Sequence, residues 1–268
     1  MMILCWEATM SIDINDKIFE YTKELQLPAI RRSFKGEIKR AKEGNSTYEE
    51  FLFNILENMY IDRVSKRKHA RIRLANFPDR LLLSSLDNKS LPIDGMNKLK
   101  IFKTLDFIKE KRNIILSGNA GTGKTHIAIG LGIEACIKDY KVFFSTIPSL
   151  ITLLKESRSQ QTYTYRTMEK RFQNYDLVIL DELGYISFDK EGAELLFNML
   201  SLRAGRKSTI ITTNLPFTRW NEMFNDPILT AAMVDRLTHK SYLVNMNGES
   251  YRMKETKQWM EEKKMIEK

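Results

Sequence analysis

Apolar positions along this chain follow two rhythms. Up to about residue 95 they recur at helical spacing with no strand-like alternation, and beyond it short continuous apolar runs alternate with helical stretches. Ile14, Ile18, Tyr21 and Leu25 predict a first helix. Pro28 suits the first turn of a second, which runs to about Lys42 before Gly44, Asn45 and Ser46 break it. Thr47 and Glu50 form a capping box at the head of a third helix. Its stripe of Tyr48, Phe51, Leu52, Ile55, Leu56, Met59 and Tyr60 is expected to be core rather than a ligand site. The helix continues into a basic run, Arg63, Lys66, Arg67, Lys68, Arg71 and Arg73, offset only by Asp62. Such a run is either a solvated face or a docking surface for nucleic acid or protein, and His69 within it reads as a polar surface residue.

Residues 79–94 have weak periodicity and scattered Pro, Ser and Asn, so they are expected to form a connector that holds the domain boundary. A helix over about residues 95–109 then leads into the apolar run Ile114, Ile115, Leu116. Further runs at residues 141–145, 177–180 and 208–213 read as buried strands. Helical stretches lie after Thr125, around Pro148, over about residues 189–203 and over residues 231–237. This alternation predicts an α/β fold with a parallel sheet, residues 91–260, preceded by a small all-helical N-terminal domain, residues 10–90.

A hydrophobic content of 43% over 268 residues is that of a globular protein and argues against disorder. Charge changes the picture more. Forty-three Lys and Arg against 34 Asp and Glu leave a net +9, which points to a polyanionic partner such as nucleic acid, or else to a basic surface with none. Cys5 and Cys136 are too few for a disulfide framework or a zinc site and are expected to be inert thiols. No apolar run approaches a membrane span, and the first residues, with Trp6 and Glu7, lack the basic start and cleavage site of a signal peptide. A cytoplasmic protein with no membrane partner is expected, and residues 1–9 read as an upstream extension ahead of Met10.

The chemistry concentrates in residues 113–125, NIILSGNAGTGKT. An apolar strand stops at a loop of Gly118, Asn119, Ala120, Gly121, Thr122 and Gly123, and Lys124, Thr125 and His126 open a helix. Such a loop turns successive N–H groups inward around a phosphate chain, Lys124 reaches the β- and γ-phosphates, Thr125 ligates Mg²⁺, and the helix N-terminus adds its dipole. Taken alone the spacing also fits an ordinary glycine-rich turn; the strand before it and the amphipathic Ile127, Ile129, Leu131, Ile133 segment after it supply the context of a P-loop. A second strand, Leu177, Val178, Ile179, Leu180, ends in Asp181 and Glu182, the arrangement of a Walker B pair in which Asp181 holds the Mg²⁺ shell and Glu182 acts as general base on water. The bland alternative is a buried strand with a surface Asp-Glu. The long interval between Thr125 and Asp181 admits a helix, an extra strand and another helix, which favours the class that inserts a strand between the two motif strands. Asn214 ends the strand at residues 208–213 and is a candidate to hold the lytic water, or else a loop asparagine in an Asn-x-Pro turn. Arg236 and Arg252 stand in later segments and on their own read as surface salt-bridge partners.

The order GNAGTGKT, LVILDE, IITTN, VDRL and SYR resembles the IstB transposition-helper ATPases, within the AAA+ clade that also contains DnaC-type helicase loaders, over about residues 11–260. The resemblance implies a three-layer α/β/α P-loop fold and Mg²⁺-dependent ATP hydrolysis. It makes Arg236 an arginine finger directed at a neighbouring subunit's nucleotide and Arg252 a second sensor of bound nucleotide. Close relatives carry a basic residue one turn before the finger, where this chain has Ala232. The family further implies ATP-dependent oligomers on double-stranded DNA with little sequence preference, and a cognate transposase as partner. Lys155, Arg158, Arg166, Lys170 and Arg171, in the interval before Walker B, are then candidates for phosphate contact, or else a solvated insertion. A DnaC-like helicase loader shares the same motor, and a small-molecule P-loop kinase would need an acceptor pocket and lid in place of the basic surface and trans-acting arginines.

Overall fold

The computed structural model describes residues 13–160, 162–185 and 187–266; residues 1–9, with Cys5, lie outside them. Two compact units are present, one ending at His69 and the other beginning at Ala70. The first holds α1 (Ile14–Glu24), α2 (Pro28–Glu43) and most of α3 (Tyr48–Leu74). Pro28 opens α2, and the Thr47–Glu50 box is made in both directions: Glu50 N–H donates to Thr47 Oγ1 at 3.2 Å and Thr47 N–H to Glu50 Oε2 at 2.9 Å. An Arg32–Asp62 pair at 2.8 Å joins α2 to α3. The apolar stripe of α3 is not core. Phe51, Ile55 and Met59 are half-buried, while the row Tyr48, Leu52, Leu56 and Tyr60, each four residues on, is exposed, Tyr48 to 91%. Helical periodicity identifies an apolar face but not whether anything covers it.

The second unit is built on a five-stranded parallel sheet in the order β2-β3-β4-β1-β5. Its strands are β1 (Asn113–Ser117), β2 (Val142–Thr146), β3 (Leu177–Leu183), β4 (Ser208–Thr213) and β5 (Ser241–Asn245). The helices are α4 (Ile93–Phe102), α5 (Asp106–Lys109), α6 (Lys124–Ile137), α7 (Ile147–Gln160), α8 (Thr162–Asn174), α9 (Lys190–Ser201), α10 (Asn221–Phe224), α11 (Pro227–Thr238) and α12 (Tyr251–Ile266). Central strands buried on both faces read as continuous apolar runs, and their alternate residues serve two separate cores. Ile114, Leu116, Leu177, Ile179 and Ile210 pack with α6, whereas Ile115, Val178, Leu180 and Ile211 pack with α7, α9 and α11. The spatially inserted strand is β4, between the P-loop strand and the Walker B strand.

Two expectations change. The segment 79–94 does not hold the boundary between the units: Leu83 and Leu91 are buried in the α6-side core, Phe144 N–H donates to Ala75 O at 2.8 Å, and a Cβ on Gly130 would meet Leu83 Cδ2 at 2.5 Å. Its apolar residues are too few and irregular to show a period, yet each fits against α6. The helix expected over residues 95–109 is interrupted, because Leu105 takes a left-handed φ of 64° and separates α4 from α5. Among the described residues no helix is long and apolar enough to cross a membrane.

Candidate functional site

Parallel strands bring their C-terminal ends to one edge of the sheet, so Ser117, Thr146, Asp181 and Thr213 meet there although they are far apart in sequence. The P-loop leaves β1 at this edge and is held on both sides. Gly118 N–H donates to Thr213 O at 3.1 Å, Met246 N–H to Ser117 O at 2.6 Å, Asn119 Nδ2 to Gly248 O at 3.3 Å, and Tyr251 N–H to Gly121 O at 2.9 Å. Two glycines are required by this path. A Cβ at Gly118 would lie 2.2 Å from the Met246 carbonyl carbon, and Gly123 holds a φ of 90° as the residue that launches α6.

Lys124 is buried, and its Nζ donates to Gly118 O at 2.7 Å and Asn119 O at 2.5 Å. Burial brings its ammonium down from 10.5 to about 8; Asp181 opposes the drop and Arg252 adds to it. Thr125 Oγ1 lies 3.0 Å from both oxygens of the buried Asp181 carboxylate, which also accepts from Thr212 Oγ1. The register between β3 and β4 slips between Leu180 and Leu183, a bulge that sits on the Asp181-Glu182 pair. Glu182 takes a left-handed φ of 66°, its N–H donates to Thr212 Oγ1 at 3.1 Å, and it is exposed at the edge. Backbone strain of this kind in a non-glycine residue costs about 1–3 kcal/mol and re-aims a side chain. Between the two motif strands, at the tip of β4, the buried Asn214 Oδ1 has no hydrogen-bond partner among the described residues.

Most of these groups, though not Gly118 and Asn119, line one cavity of about 500 Å³, within the usual range for a small-ligand site. Ala120 to His126, Asp181, Glu182, Asn214 and Arg252 all face it. His126 Nε2 also lies 2.8 Å from Leu82 O, which fastens the first turn of α6 to the opposite wall. Arg236 does not line the cavity; it stands exposed on α11 against α9. Of the expected phosphate contacts, Lys155 pairs with Asp189 at 2.7 Å and Arg158 with Glu191 at 3.4 Å, both on α7, while Arg166, Lys170 and Arg171 stand exposed on α8. Sequence reasoning missed the facing wall, Pro78, Leu81, Leu86 and Leu91 with Tyr251, an apolar surface suited to a flat heterocycle. The only local signal for it is the Asp87–Ser90 turn, where Asp87 Oδ1 accepts from Lys89 N–H at 3.0 Å.

A cradle of N–H groups with a lysine at its centre suits a polyphosphate. The Thr125 hydroxyl and Asp181 carboxylate form a hard oxygen pair of the kind Mg²⁺ takes alongside substrate phosphates. No group of three or more His, Cys, Asp or Glu that could hold a metal ion occurs among the described residues.

Comparison with known proteins agrees with this geometry. The insertion sequence IS5376 ATP-binding protein of Geobacillus stearothermophilus is 34% identical over 250 residues, covering 93% of this chain and 98% of that protein. The insertion sequence IS21 ATP-binding protein of Pseudomonas aeruginosa is 33% identical over 218 residues, covering 81% of this chain and 82% of its own length. Among solved structures, the DnaC helicase loader superposes with a TM-score of 0.54 at 21% identity, over 62% of this chain and 96% of that one. AMPPCP-bound DnaA from Aquifex aeolicus gives 0.54 at 18% identity, over 70% of this chain and 57% of that one. These last two are likenesses of fold, the three-layer α/β/α P-loop architecture of AAA+ proteins. The family model of the IstB-like ATP binding proteins matches residues 20–259, and the chain belongs to that family.

Proposed function

We propose that this chain is a cytoplasmic, Mg²⁺-dependent ATPase that assembles on double-stranded DNA with little sequence preference and recruits or stimulates a cognate transposase. The observation that carries the ATPase part is the meeting of Thr125 and Asp181 at 3.0 Å beside a strained Glu182 and an Asn214 oxygen with no hydrogen-bond partner among the described residues. Thr125 and Asp181 would hold Mg²⁺ beside the triphosphate, where it would neutralise charge on the phosphate oxygens. The P-loop N–H groups and Lys124 bind the phosphate chain, Asn214 orients the attacking water, Glu182 accepts its proton, and Arg252 reads the bound nucleotide. Arg236 stands away from its own chain's cavity and serves the nucleotide of a neighbouring copy.

The net charge of +9 and the exposed Arg166, Lys170 and Arg171 on α8 support DNA contact through phosphates; the ion pairs of Lys155 and Arg158 make these two the weaker contributors. Affinity should therefore be tolerant of sequence, stronger with ATP, and lose about 40- to 2000-fold between 50 and 200 mM salt for three to six neutralised phosphates. Fluorescence anisotropy across that range checks it; a flat salt response or a strong preference for one sequence refutes it.

The helical N-terminal unit supports transposase docking. The exposed row Tyr48, Leu52, Leu56 and Tyr60 is the kind of apolar surface that marks a protein interface. Leu52→Glu with Leu56→Glu should leave ATP binding intact and abolish transposase stimulation. Full stimulation by that variant places the partner surface on the ATPase unit.

A further inference from the structure

The helix that follows the Walker B strand ends beside Arg236. α9 is capped by Asp189, whose carboxylate accepts from Gly192 N–H at 3.1 Å, and it is anchored by the buried Leu195, Leu196, Met199 and Leu200. Its last turn presents Phe197 and Ser201 to α11. The Arg236 guanidinium lies over the Phe197 ring, 4.5 Å from the centroid, and its Nη1 donates to Ser201 Oγ. Ser201 Oγ in turn donates to the Phe197 carbonyl at 2.6 Å. The hydroxyl is thereby oriented, with its proton directed to the helix carbonyl and its lone pairs turned to the arginine. This seat takes one edge and one face of the guanidinium, and the side chain remains exposed, so other donors stay available to a second molecule.

We propose that Phe197 and Ser201 are positioning residues that hold Arg236 ready for the nucleotide of a neighbouring copy of this chain. The proposal rests on the trans role given to Arg236 above. A free arginine samples many rotamers and loses that freedom on docking. Stacked on an aromatic face and hydrogen-bonded at one edge, Arg236 has lost most of it before the neighbour arrives. The seat therefore acts on turnover at the neighbour's site and not on nucleotide binding at its own.

The test uses the full chain, ATP and DNA. Phe197→Leu keeps apolar bulk and removes the aromatic face, whereas Phe197→Tyr keeps both. Phe197→Leu should lower kcat about tenfold with KM for ATP within about twofold of the parent, and Phe197→Tyr should restore it. Ser201→Ala, a smaller change, should lower kcat in the same sense with KM held, and it carries the test alone if Phe197→Leu fails to fold. Mixing Phe197→Leu with Glu182→Gln chains, which have an intact seat and finger but no base, should recover turnover at the Phe197→Leu sites. A defect that does not recover, with mixed assemblies verified, lies in the variant's own site and overturns the proposal. So does an unchanged or raised kcat in the seat variants while Arg236→Ala is impaired, and in that case the finger reading stands. Full ATPase activity in Arg236→Ala overturns the finger reading itself.

Discussion

Glu182→Gln should bind ATP as the parent does and hydrolyse it at least about 100-fold more slowly, the lower end of what a positioned general base contributes. The exchange removes the carboxylate's charge and with it the ability to accept a proton, at nearly constant size. Glu182 sits on the bulge at the cavity edge, its N–H held by Thr212 Oγ1 at 3.1 Å, and the amide side chain keeps the same length and the same strained backbone. Lys124→Ala should show the opposite division. Its Nζ is aimed into the loop at Gly118 O and Asn119 O, and burial has already brought its ammonium to about 8. A polyphosphate entering the loop adds to the negative charge that Asp181 supplies to this buried cation, so the lysine contributes mainly to binding. Its loss removes charge-assisted hydrogen bonds of about 1.5–3 kcal/mol each and should weaken ATP affinity about 100-fold or more. Equilibrium binding of a fluorescent ATP analogue together with phosphate release separates the two variants. Parental hydrolysis in Glu182→Gln removes Glu182 as the base; parental affinity in Lys124→Ala removes Lys124 as the phosphate ligand.

What could be read in the sequence divides along a physical line. Strand tips in a parallel sheet carry their chemistry in short contiguous runs, so Lys124, Thr125, Asp181, Glu182 and Asn214 were identifiable before any coordinates, and the sheet brings them to one edge. The opposite wall is built from Pro78, Leu81, Leu86 and Leu91, side chains separated by turns, whose placement depends on α6 and leaves no period. β5 is an edge strand with Val244 its one buried residue, too little burial to impose a two-residue alternation. Arg203 was legible only as a helix end. It is in fact buried, donating to Phe172 O, Tyr175 O and Ser208 O at 2.5, 2.9 and 2.7 Å, with burial holding its guanidinium down at about 9. Carbonyl acceptors of that kind belong to the fold and not to the residue types nearby. The α3 stripe fails for the converse reason, since composition and period are the same for a covered face and an uncovered one.

Arg236→Ala should leave ATP affinity within about twofold of the parent and cut hydrolysis on the order of 1000-fold, the lower range for an arginine that stabilises charge in phosphoryl transfer. The division follows from position. Arg236 is exposed on α11 and absent from the walls of its own chain's cavity, so removing it leaves the local phosphate ligands untouched. Its guanidinium, planar and held against Phe197, can meet a neighbour's nucleotide only across an interface between copies. Complementation separates this from a structural role. Arg236→Ala chains keep Lys124, Glu182 and Asn214 but offer no finger, whereas Glu182→Gln chains keep the finger but no base. In mixed assemblies an Arg236→Ala site next to a Glu182→Gln chain regains all its parts, so phosphate release should rise well above the sum of the separate variants and peak near equal mixing. If Arg236 instead supported its own chain's site or only the packing of α11 on α9, neighbours could not supply what is missing, and activity would stay at that sum at every ratio.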